Sequence, residues 1–155
     1  MASIVKDTVH DINISRIPSR LHDYEMLVLG AEPMFKLEDR TLEEVCKQHS
    51  VDLMNMDINL QECKTIEDVI RKRIEEIEAS LYKNLNENHS RALGTTDIKQ
   101  YIKGDPQYVN AFEILLEVQN VRRQLEAVVE ALKNMGWMIS HITKLRVAQL
   151  EHVTL

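Results

Sequence analysis

Residues 111–142 read AFEILLEVQNVRRQLEAVVEALKNMGWMISHI, and their spacing decides the fold. Ile114, Val118, Val121, Leu125, Val128, Leu132 and Met135 recur at intervals of four and three, which places all of them on one stripe of an α-helix. Ala111 extends the stripe backward. A narrow apolar seam of this kind is built to meet another helix, in the same chain or in a neighbour. It stops at Gly136, a residue type suited to the left-handed position just past a helix end, and Lys133 favours the negative end of the helix dipole. The pattern predicts a heptad helix over 107–135, with Pro106 in its first turn, then a final amphipathic helix carrying Ile139, Ile142, Leu145 and Leu150. The seam, continued by Ile139 and Ile142, is the expected oligomerisation surface.

Working back from this helix, Gly104-Asp105-Pro106 reads as a turn and Asp97–Lys103 as a short helix. Thr65, with Asp68 three residues on, opens a helix whose inner face is Ile66, Ile70, Ile74, Ile77, Leu81 and Leu85. Its outer face runs from Arg71-Lys72-Arg73 to Glu75, Glu76 and Glu78. Arg71–Glu75 and Lys72–Glu76 are spaced for ion pairs, as on a solvated face. The helix frays through Asn84, Asn86 and Asn88 and ends by Gly94. Thr41 with Glu44 forms a capping box and opens an earlier helix with Leu42, Val45 and Cys46 inside. Between these two helices, Met54, Met56, Ile58 and Leu60 alternate with polar residues, as in a short extended stretch.

Residues 1–40 form an amino-terminal extension with two readings. Ile12 and Ile14 alternate as in a strand, whereas Val5, Val9 and Ile12 suit a helix, and Pro18 ends either one. Leu21, Tyr24, Leu27 and Val28 can line a short helix that stops at Gly30. The expected fold class is mainly α. It is a long-helix bundle with possible short β segments in the amino-terminal part, the helical domain spanning 41–155.

At 155 residues the chain suits one domain with a modest core. Its net charge of −6 is unevenly spread: residues 1–64 carry 12 acidic and 7 basic groups, 65–110 carry 8 and 7, and 111–155 carry 5 and 5. This balance argues against blanket nucleic-acid affinity and leaves room for a local basic track, especially one repeated around an oligomer. No apolar run approaches the ~20 residues needed to cross a bilayer, and MASIVKDTVHD lacks the pattern of a secretory signal. No membrane partner is expected, and the reducing cytosol is the expected compartment for Cys46 and Cys63.

The sequence offers little catalytic chemistry. The four glycines stand alone at 30, 94, 104 and 136, so no loop cradles a phosphate. Cys46, His49 and Cys63 supply three possible zinc ligands where a structural site wants four, and two buried thiols account for the cysteines better. No nucleophile and base share a recognisable motif. Neither an enzyme nor a cofactor nor a metal is expected. What remains is binding: Tyr82, Lys83 and Arg91, then Lys99, Tyr101, Lys103 and Tyr108, then Trp137, His141, Lys144 and Arg146. Bases of a single strand stack on aromatic rings while cations track the phosphates. Packing is the competing role for Tyr101 and Trp137, and the usual one for a tryptophan beside a helix end.

The pattern resembles the UvsY family of recombination mediators from T-even-type phages. Asp97-Ile-x-x-Tyr-x-x-Gly-Asp-Pro leads to the heptad helix, followed by Leu132-Lys-Asn-Met-Gly136-Trp137-Met-Ile139-Ser-His141-Ile142. Leu42-Glu43-Glu44-Val45 with Asp52 and Asp57 matches that family's acidic start, and the likeness covers about 41–147. Asn84, Asn86, Asn88, His89 and Ala92 stand where the family carries more Lys and Arg, and Ser140 where a lysine is common. The resemblance implies a homo-oligomeric ring in the host cytoplasm that binds single-stranded DNA. Such a ring loads the phage recombinase as the single-strand-binding protein is displaced. It implies phosphate contacts from Lys83, Arg91, Lys99, Lys103, Lys144 and Arg146, with Tyr101 or Trp137 stacking on the bases. The rival expectation is a helical oligomer that binds only protein, as an assembly factor or an inhibitor of a host protein.

Overall fold

A computed structural model describes residues 16–37, 39–88 and 94–148. These residues are mainly helical: α1 (Ile17–Leu29), a 3₁₀ turn (Glu32–Phe35), α2 (Leu42–Asn88), α3 (Thr95–Gly104) and α4 (Pro106–Val147), with no strand among them. Packing divides the chain into two compact units, one made of 1–21 and 63–121, the other of 22–62 and 122–155. The described part of the expected extension supplies Ile17 and Leu21 to the interior of the first unit and Tyr24 to that of the second.

In the first unit, Ile66, Ile70, Ile74 and Ile77 of α2 are buried, as are Ile98 and Ile102 of α3 and Leu115, Val118 and Val121 of α4. Cys63 is fully buried and its thiol donates to the Val118 carbonyl at 3.8 Å. Glu67 is a buried carboxylate. Its Oε1 accepts Arg71 Nη2 at 2.6 Å, Arg71 Nε at 3.0 Å and Gln119 Nε2 at 3.2 Å, the last from α4. Burying a charge is costly unless it is paired and hydrogen-bonded, and these donors supply both. Burial first, and the nearby Glu78 carboxylate second, push the Tyr108 phenol above its ordinary pKa.

In the second unit, Val45 of α2 packs with Met135 and Ile139 of α4, and Phe35, Leu37, Leu42 and Cys46 close over them. Leu125, Val129 and Leu132 are buried as well. One turn along from Val45, His49 Nε2 lies 2.7 Å from the Leu132 carbonyl, a contact that crosses from α2 to α4. Both cysteines are free thiols.

Thr41 caps α2 as expected. Its N–H and hydroxyl donate to Glu44 Oε2 at 2.9 and 2.8 Å, and the Glu44 N–H donates back to Thr41 Oγ1 at 3.3 Å. These bonds, the backbone one first, hold the Glu44 carboxyl below its ordinary pKa. A carboxylate with a lowered folded-state pKa adds stability above its unfolded value and gives it up as pH falls through the folded one. Thr41→Ala, which removes the cap, is expected to lower the melting temperature at neutral pH. It should also flatten the acid limb of the melting curve below about pH 5. Thermal melts of both proteins across that range check this, and parallel acid limbs would refute it.

Several expectations are corrected. The alternating stretch 51–60 is helical and not extended. Met56 and Leu60 continue the buried row that includes Cys63 and Ile66, while Met54 and Ile58 point to solvent, so the period of two is incidental. Thr65 starts nothing. With no Gly or Pro between residues 34 and 93, nothing interrupts the helix, which runs unbroken from Leu42 to Asn88. Likewise Gly136 ends nothing, and α4 passes through it to Val147, so the heptad helix over 107–135 and the final amphipathic helix are one element. Arg71 pairs back with Glu67 rather than with Glu75, and Arg73 pairs with Glu76. Leu27 of α1 is exposed rather than inward. Ile12, Ile14 and Leu150 lie outside the described residues.

Candidate nucleic-acid interface

The seam on α4 is occupied within the chain. Val118, Leu125 and Leu132 have no exposed surface, and Val121, Met135 and Ile139 are buried. Ile114, Val128 and Ile142 are half-buried at the border of the stripe, and Leu115 and Val129 are buried in place of Ile114 and Val128. A seam filled in this way offers a second chain little surface.

The candidate binding residues fall into two groups. Lys83 on α2 and Lys99, Tyr101 and Lys103 on α3 are exposed in the first unit. They do not form one face. Lys99 and Lys103, four apart, share a side of α3, and Tyr101 lies on the other side. The Tyr101 ring, 57% exposed, instead lines a shallow depression with Asp97, Gln100, Gly104, Asp105 and Pro106. Two carboxylates there disfavour a phosphate. Arg91 lies outside the described residues.

The second group, on α4, is more coherent. Trp137 is 71% exposed, so the packing role expected of a tryptophan is not the one it has. The reason is that α4 does not end beside it. A residue at a helix end can fold back onto the core, whereas one in the middle of a helix points where the helical phase puts it. Neighbours at helical spacing share that direction: Lys133, Ser140, His141 and Lys144 all lie within roughly 60° of the Trp137 side chain around the axis, and all are exposed. The result is a strip with one broad aromatic plane between cationic side chains, bounded one turn earlier by Glu130. Arg146 lies about half a turn round from Trp137 and outside the strip. Lys133 was missed as a binding candidate because it reads as a helix-end cation once Gly136 is taken as a stop.

Among the described residues no group of three or more His, Cys, Asp or Glu side chains is placed to hold an ion. His49 spends Nε2 on Leu132, and the Cys63 thiol is on Val118. No described helix is long and apolar enough to cross a membrane. No known protein family, curated protein or solved structure matches the chain.

Proposed function

We propose that this chain is a non-enzymatic single-stranded DNA-binding protein that works as a homo-oligomer. Its role would be that of the phage recombination mediators it resembles, holding DNA while a recombinase is loaded and the single-strand-binding protein is displaced. The observation that carries this reading is the Lys133–Trp137–His141–Lys144 strip. An indole that is 71% exposed leaves most of its face to solvent, where it is a stacking plane for a base, and the flanking cations suit the adjoining phosphates. One strip with two lysines binds weakly. Repetition around an oligomer raises the effective concentration and turns weak contacts into useful affinity without a deep pocket. That reconciles a net charge of −6 with a DNA ligand.

Trp137 is the only tryptophan, so its fluorescence reports on the strip directly. Titration with oligo(dT) is expected to quench it. Log affinity against log salt should fall with a slope of about −1.4 per chain from two lysine–phosphate contacts. Trp137→Phe should retain much of the binding by anisotropy of labelled DNA, and Trp137→Ala should lose about 1–3 kcal/mol. Absence of quenching at low salt, or Trp137→Ala binding as tightly as the parent, would refute the reading. A second reading, a helical oligomer that binds only protein, is favoured by the exposed apolar side chains Val51, Met54 and Ile58 on α2. It predicts an oligomer indifferent to DNA.

A further inference from the structure

The buried row of α2 leaves a second apolar row on the outside of the same helix. Val51, Met54 and Ile58, spaced three and four apart, are 46%, 57% and 57% exposed. They share one side of α2 within the second unit, and Lys47 and Glu62 continue the same side by one turn at either end. No other charged residue lies between those two on this side. Its nearer borders are Ser50, Asn55 and Gln61, all uncharged, and further round lie Asn59 on one side and Asp57 on the other.

We infer that this row is a two-fold contact between two copies of the chain, with the two α2 helices antiparallel. The inference rests on the self-association part of the proposed function and not on the DNA part. The argument is register. A two-fold axis midway between Met54 and Asn55 places Val51 opposite Ile58 of the other copy and Met54 opposite Asn55, and brings Lys47 against Glu62, each relation occurring twice. Parallel pairing would set Lys47 against Lys47. Other antiparallel registers, with Met54 opposite Ile58 or Val51 opposite Met54, keep some apolar contact but set Lys47 against Thr65 or Ile58 instead of Glu62. One arrangement alone satisfies both the apolar and the charged positions, which is what a self-complementary surface requires. Lys47 already touches Glu43 at 2.7 Å, but both side chains are about three-quarters exposed, and such surface pairs are weak enough to exchange. Glu62 has a polar interaction of its own, and a carboxylate can accept further donors. The paired stretch 47–62 is about 24 Å long and covers less area than the ~1,600 Å² of a standard interface, so the contact is a reversible one that gains strength in a larger assembly.

The test needs no DNA. Sedimentation of the full chain across the micromolar range should show reversible association of the parent protein. Lys47→Glu places glutamates opposite glutamates, and Glu62→Lys places lysines opposite lysines. Each variant alone should associate at least tenfold more weakly while its circular dichroism is unchanged. Mixing the two variants restores both pairs and should restore association, as should the double variant Lys47→Glu/Glu62→Lys. Ile58→Asp, at an exposed position, should abolish it. A monomeric parent would overturn both this contact and the homo-oligomer. An oligomeric parent that is indifferent to the charge exchanges would overturn the contact alone, and oligo(dT) quenching of Trp137 would then judge the DNA reading separately.

Discussion

Leu125→Asp is expected to leave the chain unfolded or close to it. Leu125 is fully buried on α4, and a carboxylate there has neither water nor a partner. The cost of several kcal/mol is comparable with the whole stability of a domain of this size. Leu125→Ala, which removes volume without adding charge, should cost about 2–5 kcal/mol. The instructive comparison is one turn further on. The heptad puts Val128 on the seam beside Leu125 and Leu132. The structure buries Val129 to 2% exposure and leaves Val128 at the border. Val129→Asp should therefore approach the severity of Leu125→Asp, and Val128→Asp should be clearly milder. Chemical denaturation of the three variants measures the order. If Val128→Asp proves the most severe, the helical phase described for α4 is wrong.

The same pair of residues shows how far the fold was legible in the sequence. Helical periodicity is a physical requirement on any helix that buries one side, so Val118, Val121, Leu125, Leu132 and Met135 could be read from spacing alone. So could Ile66, Ile70, Ile74 and Ile77, and the Thr41–Glu44 cap, which is local chemistry. A repeat of 3.5 residues fixes the stripe only to within one position, so it could not separate Val128 from Val129. The mistaken boundaries have a common source. Thr65 and Gly136 carry local signals for a helix start and a helix stop, each worth about 1 kcal/mol. Burial of Cys63 and Ile66 on either side of Thr65, and of Met135 and Ile139 on either side of Gly136, outweighs such signals. The alternation at Met54–Leu60 was ambiguous by nature, because four residues cannot tell a strand from a helix with apolar side chains on two sides. The candidate site was half legible. Its residue types were visible, but which of them share a direction depends on the helix continuing past Gly136, and that is a tertiary fact.

Gly136 is where this continuity can be tested most sharply. In an exposed helix interior, replacing glycine by alanine stabilises by about 1 kcal/mol, because alanine has less backbone freedom to lose. Here a Cβ would stand 3.0 Å from His49 Cε1 and 3.4 Å from His49 Nε2. That ring cannot simply swing away, since Nε2 is held 2.7 Å from the Leu132 carbonyl. Glycine is present because α2 and α4 approach closely in this unit, not because the chain turns. Gly136→Ala is accordingly expected to destabilise rather than stabilise, and Gly136→Leu to cost about 1–3 kcal/mol as an overpacked contact. Removing the obstacle reverses the sign. In a His49→Ala background, Gly136→Ala should recover the alanine advantage of about 1 kcal/mol. The double-mutant cycle formed from His49→Ala and Gly136→Ala should then give a coupling energy of about 1–3 kcal/mol. A helix that ended at Gly136 with the residue in a left-handed conformation would behave differently. Alanine would then be destabilising in both backgrounds by the same amount, and the coupling would vanish. Denaturation midpoints of the four proteins distinguish the two cases, and a vanishing coupling would mean that His49 is not what excludes a side chain at position 136.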